Sequence, residues 1–448
     1  MAWFANPDSI GRRHNAANAT RDSRLATRKP LGSFSTAPRR SNRRIARGQQ
    51  MYRNDDSALD IRQLTAFRRD LHMHPELKFE ENRTADRVAA FLAALGIPMV
   101  RGLGITGIVA SIHGKGRSPE NPGPAIGIRA DMDALPVCEI NQFEHASRHD
   151  GRMHACGHDG HTTMVLGAAA LLAANRDFDG TVHLLFQPGE EGGGGAREMI
   201  NDGLFKDFPC QAVFALHNWP ALPQGQMAVR IGPIMGAAMR FEIIVRGRGG
   251  HAAMPHITVD PIPIACSIVG QLQTLVSRGT DPLDAAVVTV GKIESGTVEN
   301  IIPNEARIYG TCRALTTQTE QYLTEGLQRI SAHIAEAHFA SAEVIIKPGY
   351  PTTDNHRDEA LFMAEVMREM VGDEQVFTDL PPSLTAEDFS FMLKQVPGAY
   401  GWIGNGLDNK PGVSLHHPAY DFNDANLSLG PRFWDRLARR WFDTMARR

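Results

Sequence analysis

The segment from Gly151 to His161 holds the densest group of side chains that could do chemistry. It reads Gly-Arg-Met-His-Ala-Cys-Gly-His-Asp-Gly-His. Cys156 and His158 stand directly before a predicted helix, and the glycine between them lets the chain turn both side chains toward one point. A helix N-terminus and a cation would both lower the pKa of the thiol. A single histidine here is most often a turn or cap residue, but the cluster at a strand-to-helix connection favours a metal site.

Two adjacent carboxylates, Glu190 and Glu191, follow the predicted strand Thr181–Gln187 on a glycine-rich turn. If that strand lies at the centre of the sheet, the two carboxylates cannot both point into solvent, and at least one must face the protein. A metal centre accounts for both, because one carboxylate can ligate while the other takes a proton from an activated water. The alternative for this pair alone is a solvated acidic turn. A phosphate-binding loop is disfavoured because no Gly-Lys-Ser/Thr follows.

Three further segments could bring ligands to the same place. His217 ends the predicted strand Ala212–His217, and in open α/β sheets ligands collect at the carboxyl ends of strands. Asp131 and Asp133 likewise follow the carboxyl end of a predicted strand, Ala125–Ala130. Leu415–Pro418 contains two adjacent histidines. A lone histidine is usually structural. Segments that converge on one sheet edge favour a site.

Short apolar runs that alternate with helical stretches must position these residues. The runs lack clean alternation, as expected for strands buried on both faces, and they predict an α/β domain with a largely parallel sheet. The predicted strands are Gly107–Ile112, Ala125–Ala130, Thr181–Gln187 and Ala212–His217, and the helices include Thr84–Leu95 and His161–Ala174.

The middle of the chain changes to a β-α-β-β-α-β order, which is typical of a ferredoxin-like unit. Its predicted elements are Met239–Arg246, Ile262–Ser277, Ala286–Lys292, Arg307–Arg313, Gln321–Ala337 and Ala342–Lys347. After Gly349 the first pattern resumes with helices Glu359–Val371 and Asp388–Gln395 and a strand at Gly401–Ile403. The predicted fold class is therefore α/β, with a mainly parallel central sheet flanked by helices and interrupted by a ferredoxin-like α+β domain. The expected divisions are 1–55, 56–236, 237–348 and 349–448.

Composition excludes several classes of function. At 448 residues the chain predicts two domains plus extensions. The net charge of -3 gives no reason to expect nucleic acid or a membrane surface as a partner, and no apolar stretch is long enough to span a bilayer. Five scattered cysteines suit a reducing compartment better than a disulfide scaffold, so we expect a cytoplasmic protein.

Residues 1–55 are rich in arginine and lack apolar periodicity, which predicts a disordered basic tail. Two alternatives are an organelle transit peptide and upstream sequence translated from a start codon before the true one at Met51. N-terminal sequencing of the native protein distinguishes them.

From about Ile61 to the C-terminus, the chain resembles the hippurate hydrolase and auxin-conjugate hydrolase branch of the dinuclear aminoacylase/carboxypeptidase family. The resemblance rests on the order of seven segments: Arg68–Leu77, Arg129–Pro136, Cys156–His161, Gln187–Gly193, Gly249–His256, Asn300–Asn304 and Leu415–Pro418. It implies a metal-dependent amidohydrolase that acts on small N-acyl amino acids.

The resemblance also implies two divalent metal ions per subunit, manganese or zinc, with cobalt or nickel as alternatives. By position, Glu190 matches the general base, and a cysteine stands where other members carry a bridging carboxylate. The position two residues before proline favours His416 over His417. The implied metal ligands are Cys156, His158, Glu191, His217 and His416.

The inserted domain matches a dimerisation and lid domain, so we expect a homodimer or higher homo-oligomer. His251 matches a histidine that reaches the partner subunit's site and steadies the oxyanion. Asn300 and Arg313 lie in segments associated with the substrate's carboxylate end. Asp131, Asp133 and the pair Glu387-Asp388 are expected to support the ligands rather than to ligate.

Other functions remain open on this scaffold. An N-acetyl-diaminopimelate-type deacetylase or a dipeptidase would use the same residues. A mechanistic rival has the Cys156 thiolate attack the substrate with a histidine as base, but the two glutamates and His217 would then have no role. A non-catalytic metal-binding scaffold is disfavoured because the base and every ligand type are present.

Overall fold

A computed structural model describes residues 58–407 and 411–446. The predicted disordered tail, residues 1–55, lies outside the described residues. Numbered along the chain, the strands are β1 Met99–Leu103, β2 Gly107–His113, β3 Ala125–Asp131, β4 Thr181–Gln187, β5 Ala212–Pro223, β6 Met227–Ala228, β7 Gly232–Met235, β8 Ala237–Arg246, β9 Gly250–His251, β10 Ala286–Ser295, β11 Ile301–Ile302, β12 Glu305–Ala314, β13 Ser341–Pro348, β14 Thr353–Asn355, β15 Val376–Phe377 and β16 Gly398–Gly406. The helices are α1 Ile61–Met73, α2 Asn82–Ala94, α3 His158–Ala174, α4 Gly195–Asn201, α5 Leu204–Asp207, α6 Pro261–Ser277, α7 Thr317–Ala337, α8 Arg357–Val371, α9 Ser390–Leu393 and α10 Asn426–Met445.

The larger sheet has eight strands in the order β1-β2-β4-β3-β5-β16-β6-β15. Its four central strands, β4, β3, β5 and β16, are mutually parallel, and antiparallel pairing occurs toward both edges. Every residue of β3, β4 and β16 is buried. Burial on both faces explains why these strands read as apolar runs without alternation.

Helices cover both faces of this sheet. Neighbouring residues of a strand enter different cores: Leu184 and Phe214 pack with α1, α2, α3, α8 and α10, while Leu185 and Val213 pack with α4, α5 and α9. This layered arrangement confirms the predicted α/β fold class.

The smaller sheet is antiparallel, with strand order β10-β12-β8-β13. Its strands and two helices follow the chain order β8-α6-β10-β12-α7-β13, so the ferredoxin-like arrangement is present. Apolar residues of α6 and α7 pack against one face of the sheet and form a third core. The assignment of 237–348 to a separate lid domain, and the domain boundaries as such, stay predictions.

Several elements differ from the sequence-based expectation. Strand β5 continues to Pro223, so His217 lies within the strand and not at its end. The predicted helix at Asp388–Gln395 is only the four residues of α9; tight turns flank it, with the N–H of Phe391 donating to the carbonyl of Asp388 at 2.9 Å and the N–H of Gln395 to that of Met392 at 3.0 Å. The C-terminal helix α10 was not predicted, although it buries Trp434 and Phe442 against α3 and its neighbours. In the described part of the chain, no helix is long and apolar enough to cross a membrane.

Candidate metal centre

The candidate centre lies beside the carboxyl ends of β3 and β4 and the N-terminus of α3. Asp131 and Gln187 end their strands as register partners, and His158 is the first residue of α3. Gly157 precedes it with φ 86°, a left-handed conformation that favours glycine. A Cβ at Gly157 would lie 2.4 Å from the Tyr420 hydroxyl oxygen. The glycine between the two predicted ligands is therefore required by both backbone conformation and space.

The five predicted ligands are brought together. One candidate ligand atom each from Cys156, His158 and Glu191 lies within 4.8 Å of the others. The Cys156 Sγ is 3.4 Å from His217 Nε2, and Glu191 Oε1 is 3.1 Å from His416 Nε2. Cys156, His158 and Glu191 form one group, and His217 and His416 each contact a member of it, so these sulfur, nitrogen and carboxylate atoms are of the types that hold divalent metal.

His158 is oriented so that one ring nitrogen is available to a metal. Its Nδ1 lies 3.3 Å from Asp133 Oδ1, whereas its buried Nε2 has no hydrogen-bond partner and lies 3.6 Å from Asp131 Oδ2. A buried polar atom without a partner is costly, and a cation would satisfy it. Burial alone would lower the pKa of His158, but Asp131 and Asp133 raise it to about 10. Metal binding must therefore displace a proton from this ring.

His217 and His161 are neighbours with different hydrogen bonding. The Nδ1–H of His217 donates to the carbonyl of Asn218 at 2.7 Å, which leaves Nε2 free to face Cys156. Burial and the nearby His161 hold the pKa of His217 well below its usual range, so it is neutral, as ligation requires. His161 has no free nitrogen, because its Nδ1 bonds Asp131 at 2.6 Å and its Nε2 accepts the Asn218 N–H at 2.9 Å. His161 therefore braces the site.

The buried thiol of Cys156 is poorly suited to act as a free nucleophile. Burial and the carboxylates of Glu191 and Glu190 raise its pKa well above the usual range. The imidazole beside it, His217, has a depressed pKa and is a weak base. A neighbouring cation would lower the pKa of the Cys156 thiol and favour the thiolate. The environment of Cys156 therefore suits a metal ligand better than a nucleophile.

Glu190 occupies a buried group of carboxylates next to the candidate ligands. Its Oε1 lies 3.4 Å from the N–H of Asp388, and Glu190, Glu387 and Asp388 could together hold a cation. Burial and the charges of Glu387 and Glu191 raise the pKa of Glu190 well above its usual range. A carboxyl group in this state can both accept and return a proton.

Asp133 holds the backbone that carries both glutamates. Its two carboxylate oxygens accept the N–H of Glu190 at 3.1 Å and of Glu191 at 2.9 Å, and one of them also faces His158. This geometry agrees with the expectation that Asp133 supports the ligands. Such outer contacts fix ligand orientation.

Arg129 is a residue of the site that the sequence did not lead us to predict, although a single arginine in an otherwise apolar strand could have indicated it. Its guanidinium is buried and donates to Gln187 at 2.8 Å, Asp131 at 2.7 Å, Glu387 at 2.9 Å and Asp388 at 3.1 Å. It is the positive charge that holds these carboxylates around the site. Asn218, whose N–H donates to His161 Nε2, was also not predicted, and no feature of the sequence would have identified it.

The remaining predicted residues lie in the smaller sheet and in a separate two-stranded sheet formed by β9 and β11. His251 on β9 is exposed and pairs with Ile301 of β11, next to Asn300. Arg313 pairs with Ala238 at the opposite end of the smaller sheet. Within residues 58–407 and 411–446, no recorded hydrogen bond or ion pair links these three to the candidate ligands. Their catalytic and substrate-binding roles stay predictions.

The two adjacent histidines have different surroundings, and those of His416 support the predicted choice of His416 as a ligand. His416 has φ 63° and its N–H donates to the carbonyl of Ala155 at 2.8 Å, which aims its ring at Glu191. One ring nitrogen of His417, Nδ1, accepts the N–H of Ala419 at 3.0 Å. His416 contacts the candidate ligand Glu191, and its role as a metal ligand stays a prediction.

Comparison with known proteins identifies close similarities over most of the chain. The profile described as Peptidase family M20/M25/M40 matches residues 127–440. The IAA-amino acid hydrolase ILR1-like 4 of Arabidopsis thaliana is 38% identical over 386 residues, which cover 84% of this chain and 85% of the relative. The hippurate hydrolase of Campylobacter jejuni is 37% identical over 374 residues, 84% of this chain and 95% of the relative.

Two solved structures are also similar to this chain over most of its length. A dinuclear metal-binding peptidase of the M20 family from Bacillus subtilis has a TM-score of 0.75 at 32% identity, covering 87% of this chain and 100% of that chain. A putative aminohydrolase from methicillin-resistant Staphylococcus aureus has a TM-score of 0.79 at 30% identity, covering 86% of this chain and 100% of that chain.

Proposed function

The chain belongs to peptidase family M20/M25/M40 and is an amidohydrolase, and from this premise we propose that it hydrolyses the amide bond of N-acyl amino acids. The products are a carboxylic acid and a free amino acid. The observation that carries the proposal is the convergence of five ligand-type side chains beside the buried carboxyl of Glu190. The substrates of the relatives, amino acids bearing indoleacetyl, acetyl or benzoyl groups, support this class.

Divalent metal is expected at Cys156, His158, Glu191, His217 and His416. The unpartnered Nε2 of His158 and the buried thiol beside two carboxylates fit a cation. When bound, two such ions supply Lewis-acid polarisation of the scissile carbonyl and lower the pKa of a water molecule. We propose manganese or zinc, with cobalt or nickel as alternatives, because thiolate and imidazole favour zinc while carboxylates accept manganese.

Glu190 is the proposed general base. It takes a proton from the attacking water, holds it on its carboxylate, and delivers it to the departing amine nitrogen. Its buried position among Glu387 and Asp388 raises its pKa, so the protonated carboxylic acid can persist until the C–N bond breaks. Glu191, one residue later, instead joins the metal ligands.

The smaller sheet is proposed to form an inserted dimerisation and lid domain, residues 237–348, between the two parts of the catalytic domain. His251 is exposed, as a residue that acts in a partner subunit must be, and we propose that it steadies the oxyanion there. Asn300 and Arg313 are proposed to bind the substrate's carboxylate end. A homodimer or higher homo-oligomer follows from this assignment, and the cytoplasmic location stays a prediction based on cysteine usage.

A panel of acetyl-, benzoyl- and indoleacetyl-amino acids, with N-acetyl-diaminopimelate and dipeptides, tests the substrate class. We expect turnover of N-acyl amino acids that is lost on chelation and restored by manganese or zinc. Preference for the deacetylase or dipeptide substrates would identify the alternative activities.

The same panel tests the rivals in mechanism. Activity that survives chelation, shows a burst of acyl-enzyme and is lost on alkylation would replace the metal mechanism by a Cys156 nucleophile. Carefully prepared protein with less than about one metal per chain and no activity on added metal would favour a scaffold.

A further inference from the structure

Two segments of chain connect the larger and smaller sheets, and they pair where they cross. Met239 and Pro348 are register partners on β8 and β13. Beyond them, the N–H of Gly349 donates to the carbonyl of Ala238 at 3.0 Å, and the N–H of Ala238 donates to the carbonyl of Tyr350 at 2.9 Å. A Cβ at Gly349 would lie 2.4 Å from the Ala238 oxygen, so only glycine permits this approach. We call Ala238, Gly349 and Tyr350 the crossover.

The side chain of Tyr350 extends from the crossover to the loop that carries Glu190. Its hydroxyl donates to the carbonyl of Glu190 at 2.5 Å and accepts the N–H of Gly194 at 3.0 Å. Its ring meets Phe391 edge to face, with centroids 6.0 Å apart. One hydroxyl group therefore joins the two ends of the turn, Glu190 and Gly194, and anchors both to the crossover.

The other contacts to this loop come from residues around the larger sheet. Glu81 accepts the N–H of Gly189 at 2.8 Å, and Lys78 donates to the carbonyl of Glu191 at 3.0 Å. Asp133 accepts the N–H groups of both glutamates. These partners fix the loop to the larger sheet, whereas Tyr350 fixes it to the chain that enters and leaves the smaller sheet.

We propose that Tyr350 is a positioning residue that transmits the placement of the smaller sheet to Glu190. The inference rests on the proposed function, since Tyr350 acts through the base and not on the substrate. A general base works only within hydrogen-bond reach of the proton it takes, and a misplacement of about 1 Å can cost on the order of 100-fold in rate. A shift of the crossover would move the carbonyl of Glu190 and with it the carboxylate.

The first test is Tyr350→Phe, which removes both hydrogen bonds and keeps the ring against Phe391. We expect kcat to fall on the order of tenfold while KM stays within about twofold and metal content is unchanged. The matched control is Tyr309→Phe on β12, whose ring faces Lys292 at 5.3 Å and is remote from the loop; its kcat should equal that of the unmodified enzyme. A wild-type kcat in Tyr350→Phe, or a parallel loss of metal and stability, overturns the inference.

The second test asks whether Tyr350 carries the coupling. Gly349→Ala should disturb the crossover and lower kcat, and this loss should shrink in the Tyr350→Phe background because the link is already cut. If Gly349→Ala yields no folded protein, Phe391→Leu, which loosens the ring packing, replaces it in the same double-mutant cycle. Strictly additive effects overturn the inference.

The outcome for Glu190→Gln separates this inference from the proposed function. Near-normal turnover in Glu190→Gln would reject the base assignment itself. An inactive Glu190→Gln together with an unaffected Tyr350→Phe would reject only the role of Tyr350.

Discussion

Two adjacent glutamates acquire different chemistry from their surroundings. Glu190 faces Glu387 and Asp388, and burial and these charges raise its pKa. Glu191 faces His158 and His416, which outweigh its burial and lower its pKa. Environments that separate the pKa values of neighbouring acids assign them to different roles. The opposite pKa shifts therefore support the proposed division into a base and a ligand, which family position implied.

Glu190→Gln tests that division at the scale of one residue. The amide keeps the size of the side chain but cannot take a proton, so we expect kcat to fall by about 10²–10⁴-fold with metal content unchanged. Steady-state kinetics and elemental analysis on the same preparation measure both quantities. The matched variant Glu191→Gln should lose metal, and an equal loss of metal in both variants would contradict the separate roles.

At the scale of elements, the site depends on strand ends that hold charges inside the protein. Arg129 is buried on β3 and its guanidinium reaches Asp131 on the same strand, Gln187 at the end of β4, and the Glu387-Asp388 segment before α9. Removing one partner from a buried ionic group leaves uncompensated charge, which is strongly destabilising. Arg129 thus joins three segments that are distant in sequence.

Arg129→Met should lower the free energy of unfolding by about 3–5 kcal/mol, because its carboxylates remain buried without a cation. Urea denaturation of metal-loaded protein measures the loss. Arg101→Met is the control, since Arg101 pairs with Asp86 on the surface at 2.5 Å and an exposed pair contributes at most about 1 kcal/mol. Equal losses for the two variants would show that the buried cluster is not held by Arg129.

At the scale of the whole molecule, we propose that a partner subunit completes the site. The candidate ligands lie near the carboxyl ends of strands of the larger sheet, whereas His251 is exposed on a separate two-stranded sheet formed by β9 and β11. A histidine that steadies an oxyanion must come within hydrogen-bond distance of the substrate. If a partner subunit supplies it, assembly and catalysis are inseparable.

Co-expression of Glu190→Gln and His251→Asn chains tests this arrangement. In a mixed dimer, one site combines an intact Glu190 with the partner's intact His251, while the other site lacks both. Random pairing into twofold dimers should therefore restore about a quarter of wild-type activity in the unfractionated mixture, and about half in mixed dimers purified through two different tags. Activity no higher than that of the separate variants would show that His251 does not act across subunits.

The sequence by itself determined the fold class, the order of the main strands of both sheets, and the local groups at Cys156–His158, Glu190–Glu191 and His217. Short-range patterns in the sequence encode those features: apolar runs, glycines at turns, and the spacing of residues that can bind metal. It also predicted that the groups would meet, because the carboxyl ends of parallel strands lie at one edge of a sheet.

Only the tertiary structure decided which groups contact one another. It separated His161, whose nitrogens are both occupied, from His158, whose Nε2 is free. It also brought Arg129 to the Glu387-Asp388 segment and Tyr350 to the loop of Glu190. These contacts join residues more than a hundred positions apart, and no local pattern records them, because the distance between such side chains is set by the packing of whole elements.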